Sequence, residues 1–199
     1  MAGHATPPRL PRLKVPTTAA WIQAVLGDFD SFLKDHAACE RKASGTAMSF
    51  VSHYPDRREL VLAMIDLARE ELQHFHDVYR HMAERGLTLG PDRKNPYMRR
   101  LAEEYRKGSD LYFLDRLLVS GIVEARGCER FGIVAAALPP GPLKDFYQHL
   151  TRSEARHQGL FVRMALLYFD APTVDARLEE LLEAEARIVA DLPPLAAVH

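Results

Sequence analysis

Apolar residues recur along this chain at three-, four- and seven-residue steps, the period of a helix face, and almost nowhere at the two-residue step of a half-buried strand. Phe29, Leu33, Ala37, Glu40, Ala47 and Val51 share one stripe, which predicts a long helix from Asp30 to Ser52. Leu60, Met64, Leu67, Glu71, His74 and Val78 form the next stripe and predict a second helix from Asp56 to Arg85. Asp56 after Pro55 is its expected cap, and Gly86 its expected stop. A third helix is expected from Ser109 or Asp110 to Leu138, and a fourth from about Pro142 to Phe169. The turn Pro139-Pro140-Gly141-Pro142 separates them. Shorter helices are expected after the Thr17-Thr18 cap to about Leu26, over 96–107, and from Pro172-Thr173 to about Asp191, with Pro193-Pro194 ending the order.

Four long helices, with a longer connection over Leu87–Asn95 between the second and third, describe an all-α bundle with a crossover connection. Extra short helices sit at the N-terminus, in the crossover and at the C-terminus. The lack of period-two segments excludes parallel sheets and sandwiches. Residues 1–16, with four prolines, read as an irregular arm; 17–192 as a single helical domain; 193–199 as a tail.

Composition narrows the function classes. Apolar residues at 47% and charged residues at 27% exclude a disordered chain, and the 199 residues are enough to bury a substantial core. A net charge of −1 excludes a global basic field of the histone type, while leaving room for a local basic patch. The N-terminal arm lacks the apolar stretch of a secretory signal, and no run of 18 apolar residues occurs, so a cytoplasmic protein without a membrane span is expected. Two cysteines, Cys39 and Cys128, are too few for a disulfide framework or a four-cysteine metal site and are expected to pack as small apolar groups.

The chemistry lies in residues that break the apolar stripes. Each long helix carries an acid on its inward face: Glu40, Glu71, Glu124 and Glu154. Two are followed three residues later by histidine, in Glu71-Leu72-Gln73-His74 and Glu154-Ala155-Arg156-His157. That spacing puts both side chains on one helix face, roughly 5–6 Å apart at Cβ. With 14 Glu and 9 His, chance supplies about 0.6 such pairs, so two alone are weak. The register is stronger. Glu71 to Glu154 and His74 to His157 are each 83 residues apart, and Glu40 to Glu124 is 84, so the set repeats as two helix pairs. Four carboxylates desolvated together without cations would exceed the net stability of any domain, about 5–15 kcal/mol, whereas two divalent cations would balance them. Carboxylate and imidazole donors without thiolate suit iron or manganese, in the arrangement of ferritin-like dinuclear proteins. Glu70 competes with Glu71 but would pair with Gln73, and Glu129 competes with Glu124 but breaks the 84-residue offset. His36, one turn before Glu40, is a candidate supporting residue, and His53, His76, His81 and His149 are expected on the surface or satisfied elsewhere.

The strings DHAACERKASGTAMSFV (35–51), AREELQHFHDV (68–78), GIVEARGCERFGIV (121–134) and SEARHQGLF (153–161) resemble the tRNA 2-methylthio-N(6)-isopentenyladenosine hydroxylase family (MiaE), of the ferritin-like di-iron superfamily. The resemblance covers roughly residues 19–170. It implies a non-haem di-iron monooxygenase that uses O2 and an external electron donor to hydroxylate the isopentenyl group of the modified adenosine next to the tRNA anticodon. It also implies Glu40, Glu71, His74, Glu124, Glu154 and His157 as iron ligands, with Glu71 and Glu154 bridging. The implied partners are tRNA and a reductase or electron-transfer protein, with a monomer or small oligomer as the assembly.

A tRNA substrate calls for cations. Arg85, Arg93, Lys94, Arg99, Arg100, Arg106 and Lys107 stand against Asp92, Glu103 and Glu104 in residues 85–107, a net of +4. Arg93, Lys94, Arg99 and Arg100 are the expected phosphate contacts, with Arg9, Arg12 and Lys14 as helpers. The competing expectations are another di-metal oxidase, peroxidase or iron-handling protein without an RNA substrate, and a non-enzymatic helical interaction module.

Overall fold

The computed structural model describes residues 10–91 and 94–199. Among them the chain forms seven helices and no strand: α1 (Ala19–Gly27), α2 (Phe29–His53), α3 (Arg58–Glu84), α4 (Pro96–Glu103), α5 (Ser109–Ala137), α6 (Pro142–Tyr168) and α7 (Ala171–Asp191). The four long helices are the ones the periodicity predicts, and α4 lies in the crossover between α3 and α5. No helix among the described residues is long and apolar enough to cross a membrane.

The chain divides into two compact units. One contains residues 17–95, 129–151 and 193–199. In it α2 and α3 pack side by side, burying Leu33 and Ala37 of α2 with Val78 and Met82 of α3. Each large side chain of that kind contributes about 1.5–3 kcal/mol by leaving water. The Ser44 hydroxyl donates to the Ala68 carbonyl across the pair at 2.9 Å. A second cluster joins Trp21 and Val25 of α1 to Phe32, Phe131, Tyr147, Leu150 and Val198.

The other unit contains the described residues up to Pro16, 96–128 and 152–192. Here α4 lies on α7, with Tyr97 and Leu101 buried. The Tyr97 hydroxyl donates to Glu185 at 3.2 Å, and the fully buried Arg126 donates to both Glu185 oxygens at 2.9 and 3.1 Å and to the Val15 carbonyl at 3.0 Å. Gly121 of α5 lies against α6: a Cβ there would meet the Gln158 carbonyl oxygen and Phe161 Cβ at 3.4 Å, the edge of ordinary van der Waals contact.

Three local expectations are corrected. Asp56 does not cap α3; the N-cap is Arg57, whose side chain makes no capping bond. The crossover helix stops at Glu103 rather than 107, because the Arg106 N–H donates to Asp115 Oδ2 at 2.8 Å instead of continuing a helical ladder. Order does not end at Pro193-Pro194: Val198 is buried, its N–H donates to Asp35 at 2.7 Å, and its carbonyl accepts from Arg130 at 2.7 Å. The indole N–H of Trp21 donates to the Ala197 carbonyl at 3.0 Å, so polar groups of α1, α2 and α5 hold the tail down. Gly86 does end α3, at φ +70, with the Leu87 N–H returning to the Met82 carbonyl at 2.9 Å.

Candidate metal centre

Helix periodicity places four of the six expected ligands in two matched pairs. On α3 the three-residue step sets His74 Nδ1 3.2 Å from Glu71 Oε2, and Glu40 Oε2 of α2 lies 3.7 Å from the same nitrogen. On α6 the same step sets His157 Nδ1 3.1 Å from Glu154 Oε2. Five of the six side chains are buried, and Glu124 on α5 is half-buried. Their donor atoms gather into two groups of four, Glu40, Glu71, His74 and Glu154 in one and Glu71, Glu124, Glu154 and His157 in the other. Within each group the donor atoms lie within 4.8 Å of one another. Glu71 and Glu154 belong to both.

The donor set fits two divalent cations. Gathering four carboxylates this closely in buried surroundings is costly unless positive charge joins them, which two divalent cations would supply. Hard oxygen donors and one imidazole per group, without thiolate, suit iron or manganese.

The register competitors resolve by burial and partner. Glu70 faces outward, lining a shallow groove with Asp66, Arg69, Leu72 and Gln73. Glu129 accepts from the Thr17 N–H at 2.9 Å and the Thr17 hydroxyl at 2.6 Å, and so secures the entry to α1. His53, His76 and His149 are exposed, while the partly buried His81 stacks near Phe146 at 5.0 Å.

His36 is in place as a supporting residue: its Nε2 lies 2.6 Å from Glu40 Oε1. Sequence reasoning missed Tyr147, whose hydroxyl lies 3.0 Å from His36 Nδ1. Only the helical step from Glu154 back to Tyr147, two turns on a similar face, could have pointed to it. Burial, and then the negative charge of Glu40, pushes the Tyr147 hydroxyl well above its ordinary pKa, so it stays protonated. Cys39 is a free thiol pushed well above its usual range by burial and by Asp35 and Glu40, which makes it an unreactive packing group. Burial also raises Asp35, outweighing the Val198 N–H that favours its charged form.

Three of the seven cations expected over 85–107 are held in close ion pairs. Arg100 donates to Asp191 at 2.9 Å, Arg106 is bound by Asp115, and Arg85 donates to Asp30 at 2.6 Å. Arg99 has only a loose contact with Glu103 at 3.9 Å, and Lys94 is exposed. Arg93 and Arg9 lie outside the described residues. Lys14 pairs with Glu179. Arg12, Arg152 and Arg163 are exposed and make no ion pair among the described residues.

Three comparisons bear on this arrangement. A family model described as tRNA-(MS2IO6A)-hydroxylase (MiaE) matches residues 4–199. The Pseudomonas putida tRNA 2-(methylsulfanyl)-N(6)-isopentenyladenosine(37) hydroxylase is 39% identical over 172 residues, covering 86% of this chain and 83% of that protein. The Salmonella typhimurium protein of the same name is 28% identical over 231 aligned positions, 92% of this chain and 85% of that one. Among solved structures, "Protein 43 with aldehyde deformylating oxygenase activity from Synechococcus" superposes with a TM-score of 0.88 at 35% identity, covering 92% of each chain.

Proposed function

Because the chain belongs to the MiaE family of tRNA hydroxylases, we propose that its paired Glu/His groups form the di-iron centre of an oxygenase acting on tRNA. The fold is the ferritin-like helical bundle. The reaction is hydroxylation of the isopentenyl side chain of 2-(methylsulfanyl)-N(6)-isopentenyladenosine at position 37 of tRNA. The observation that carries the reading is that Glu71 and Glu154 belong to both donor groups, the position a bridging carboxylate must hold.

Glu40 and His74 would hold one iron, Glu124 and His157 the other, and Glu71 and Glu154 would span the two. The iron pair, when bound, supplies O2 reduction and the oxidising power to insert one oxygen atom into a C–H bond, with electrons from an external reductase or electron-transfer protein. The carboxylates of this chain balance the metal charge, and its imidazoles complete the donor set. Phe32, Phe131 and Phe146 surround His36 beside Glu40 and keep that side dry, so each polar atom there depends on a fixed partner. The reaction belongs in the compartment that holds mature tRNA, the cytoplasm, and a monomer or small assembly serves it.

Phosphate contacts fall to cations not consumed by internal acids: Lys94, Arg99 and Arg12, joined by Arg152 and Arg163 on α6. Arg100 contributes less because Asp191 holds it. Reversing these charges should weaken tRNA binding and reduce its salt dependence, since each phosphate neutralised releases counterions. The function is tested by mass analysis of nucleosides from bulk tRNA treated with the iron-loaded protein and a reductant. The isopentenylated nucleoside should gain one oxygen atom, and Glu154→Ala should abolish the gain. A second reading, an oxygenase acting on an aldehyde, is favoured by the similarity to the Synechococcus protein; turnover of an aldehyde with no change in tRNA would establish it instead.

A further inference from the structure

We infer that Tyr147, acting through His36, holds Glu40 so that it offers only one carboxylate oxygen to the metal pair; the inference rests on the di-iron reading above. The three groups form one buried line. His36 Nε2 lies 2.6 Å from Glu40 Oε1, and Tyr147 Oη lies 3.0 Å from His36 Nδ1. His36 and Tyr147 are both 0% exposed and Glu40 is 4% exposed.

The direction of the hydrogen bonds follows from the donor inventory. An ionised carboxylate only accepts, so Nε2 carries the proton. Among the described residues the Tyr147 hydroxyl has no other partner, so its proton goes to His36 Nδ1. The line therefore runs from the Tyr147 hydroxyl to Nδ1, and from the Nε2 hydrogen to Glu40 Oε1. A hydrogen on Nδ1 would turn a lone pair toward the Glu40 carboxylate, so Glu40 and Tyr147 favour the same tautomer, and the Tyr147 hydroxyl fixes the ring that orients the carboxylate.

The ring itself is fixed. Phe131 lies 4.6 Å from its centroid, Tyr147 5.5 Å, Phe32 6.0 Å and Phe146 6.2 Å. A His36 wedged in this cage cannot swing away from Glu40. With Oε1 engaged, Oε2 is the oxygen nearer His74, at 3.7 Å from its Nδ1. A glutamate that binds through one oxygen occupies one coordination position rather than two, which leaves room for a further ligand on that side. Tyr147 and His36 touch neither substrate nor the reacting atoms in this arrangement; both are positioning residues.

The test is an anaerobic Fe2+ titration of the full chain, as wild type, Tyr147→Phe, His36→Gln and the double variant, read by site-resolved affinity and by the Mössbauer signature of the loaded protein. Tyr147→Phe keeps the shape of the cage and removes only the hydroxyl. The wild type should bind two irons. Each single variant should weaken one of the two by about 10–100-fold, leave the other near its wild-type affinity, and change the spectrum of one iron only. The double variant should be no worse than His36→Gln, because Tyr147 acts only through the ring. Two unchanged affinities and an unchanged spectrum in Tyr147→Phe would overturn the inference while leaving the di-iron reading intact, and so would additive losses in the double variant. A wild-type chain that binds no iron would overturn both.

Discussion

Metal-free protein should be destabilised by its own ligands, and Glu71→Gln isolates that effect. Glu71 belongs to both donor groups, so Glu40, Glu124 and Glu154 are its carboxylate neighbours, with donor atoms within 4.8 Å. At an effective dielectric of ~20, one such pair of charges repels by about 3.5 kcal/mol. Three neighbours do not triple the effect, because protonation limits it. Taking up a proton at pH 7, from an ordinary value of ~4.3, costs a glutamate about 3.7 kcal/mol, and repulsion beyond that is relieved by protonation. Replacing Glu71 by its neutral isostere should therefore stabilise the chelator-treated protein by about 3 kcal/mol. Gln keeps an acceptor for His74, so the hydrogen bond at 3.2 Å survives. For a chain of this length that is a rise in Tm of roughly 6–12 °C. Thermal unfolding followed by circular dichroism, with and without anaerobic Fe2+, measures it. The wild type should start lower and rise on adding iron; Glu71→Gln should start higher and respond little, since metal that no longer binds the native state cannot stabilise it. If the metal-free variant melts at or below the metal-free wild type, the carboxylates are not a mutually repelling cluster and the reasoning fails.

Other outcomes follow from individual contacts. Glu129→Ala should cost about 1–2 kcal/mol by leaving the Thr17 N–H and hydroxyl without their acceptor, while a titration still finds two irons per chain. Glu185→Ala should cost about 3–5 kcal/mol in urea unfolding, because it strands the buried Arg126 guanidinium. Burial pushes the Asp115 carboxyl up, but hydrogen bonds from Arg106 and Arg177 outweigh it and hold the group below its usual range. The stability it adds is thus complete above the unfolded value of about 3.9 and is lost as pH falls through the folded one, so Asp115→Asn should flatten the acid limb of a stability–pH curve. Deleting residues 195–199 should lower Tm and expose Trp21, read as a red shift of its fluorescence, because Ala197 and Val198 close over that side chain.

The four long helices and the Glu/His pairs were legible from the chain itself because both obey the helical period: a three-residue step puts Glu71 and His74 on one face whatever they pack against. The 83-residue repeat of the pair was equally local information. Caps and ends were less legible. Asp56 looked like a cap, yet the Tyr54–Arg57 turn supplies the start of α3, and the crossover helix stopped early because Asp115, nine residues beyond Arg106, captured its N–H. Composition counts charges without their partners: Arg85, Arg100 and Arg106 of the basic crossover pair with Asp30, Asp191 and Asp115, which lie 55, 91 and 9 residues away.

By itself, then, the chain determined which helices form and which of their faces carry donors, since those depend on spacing along one backbone. Only the tertiary structure decided that Glu129 serves Thr17, that the C-terminal tail is held by Asp35 and Arg130, and that Tyr147 sits behind His36, 111 residues away in sequence. Those choices rest on hydrogen bonds between segments whose approach is set by burial of apolar faces, and no periodicity encodes which polar groups meet once those faces close.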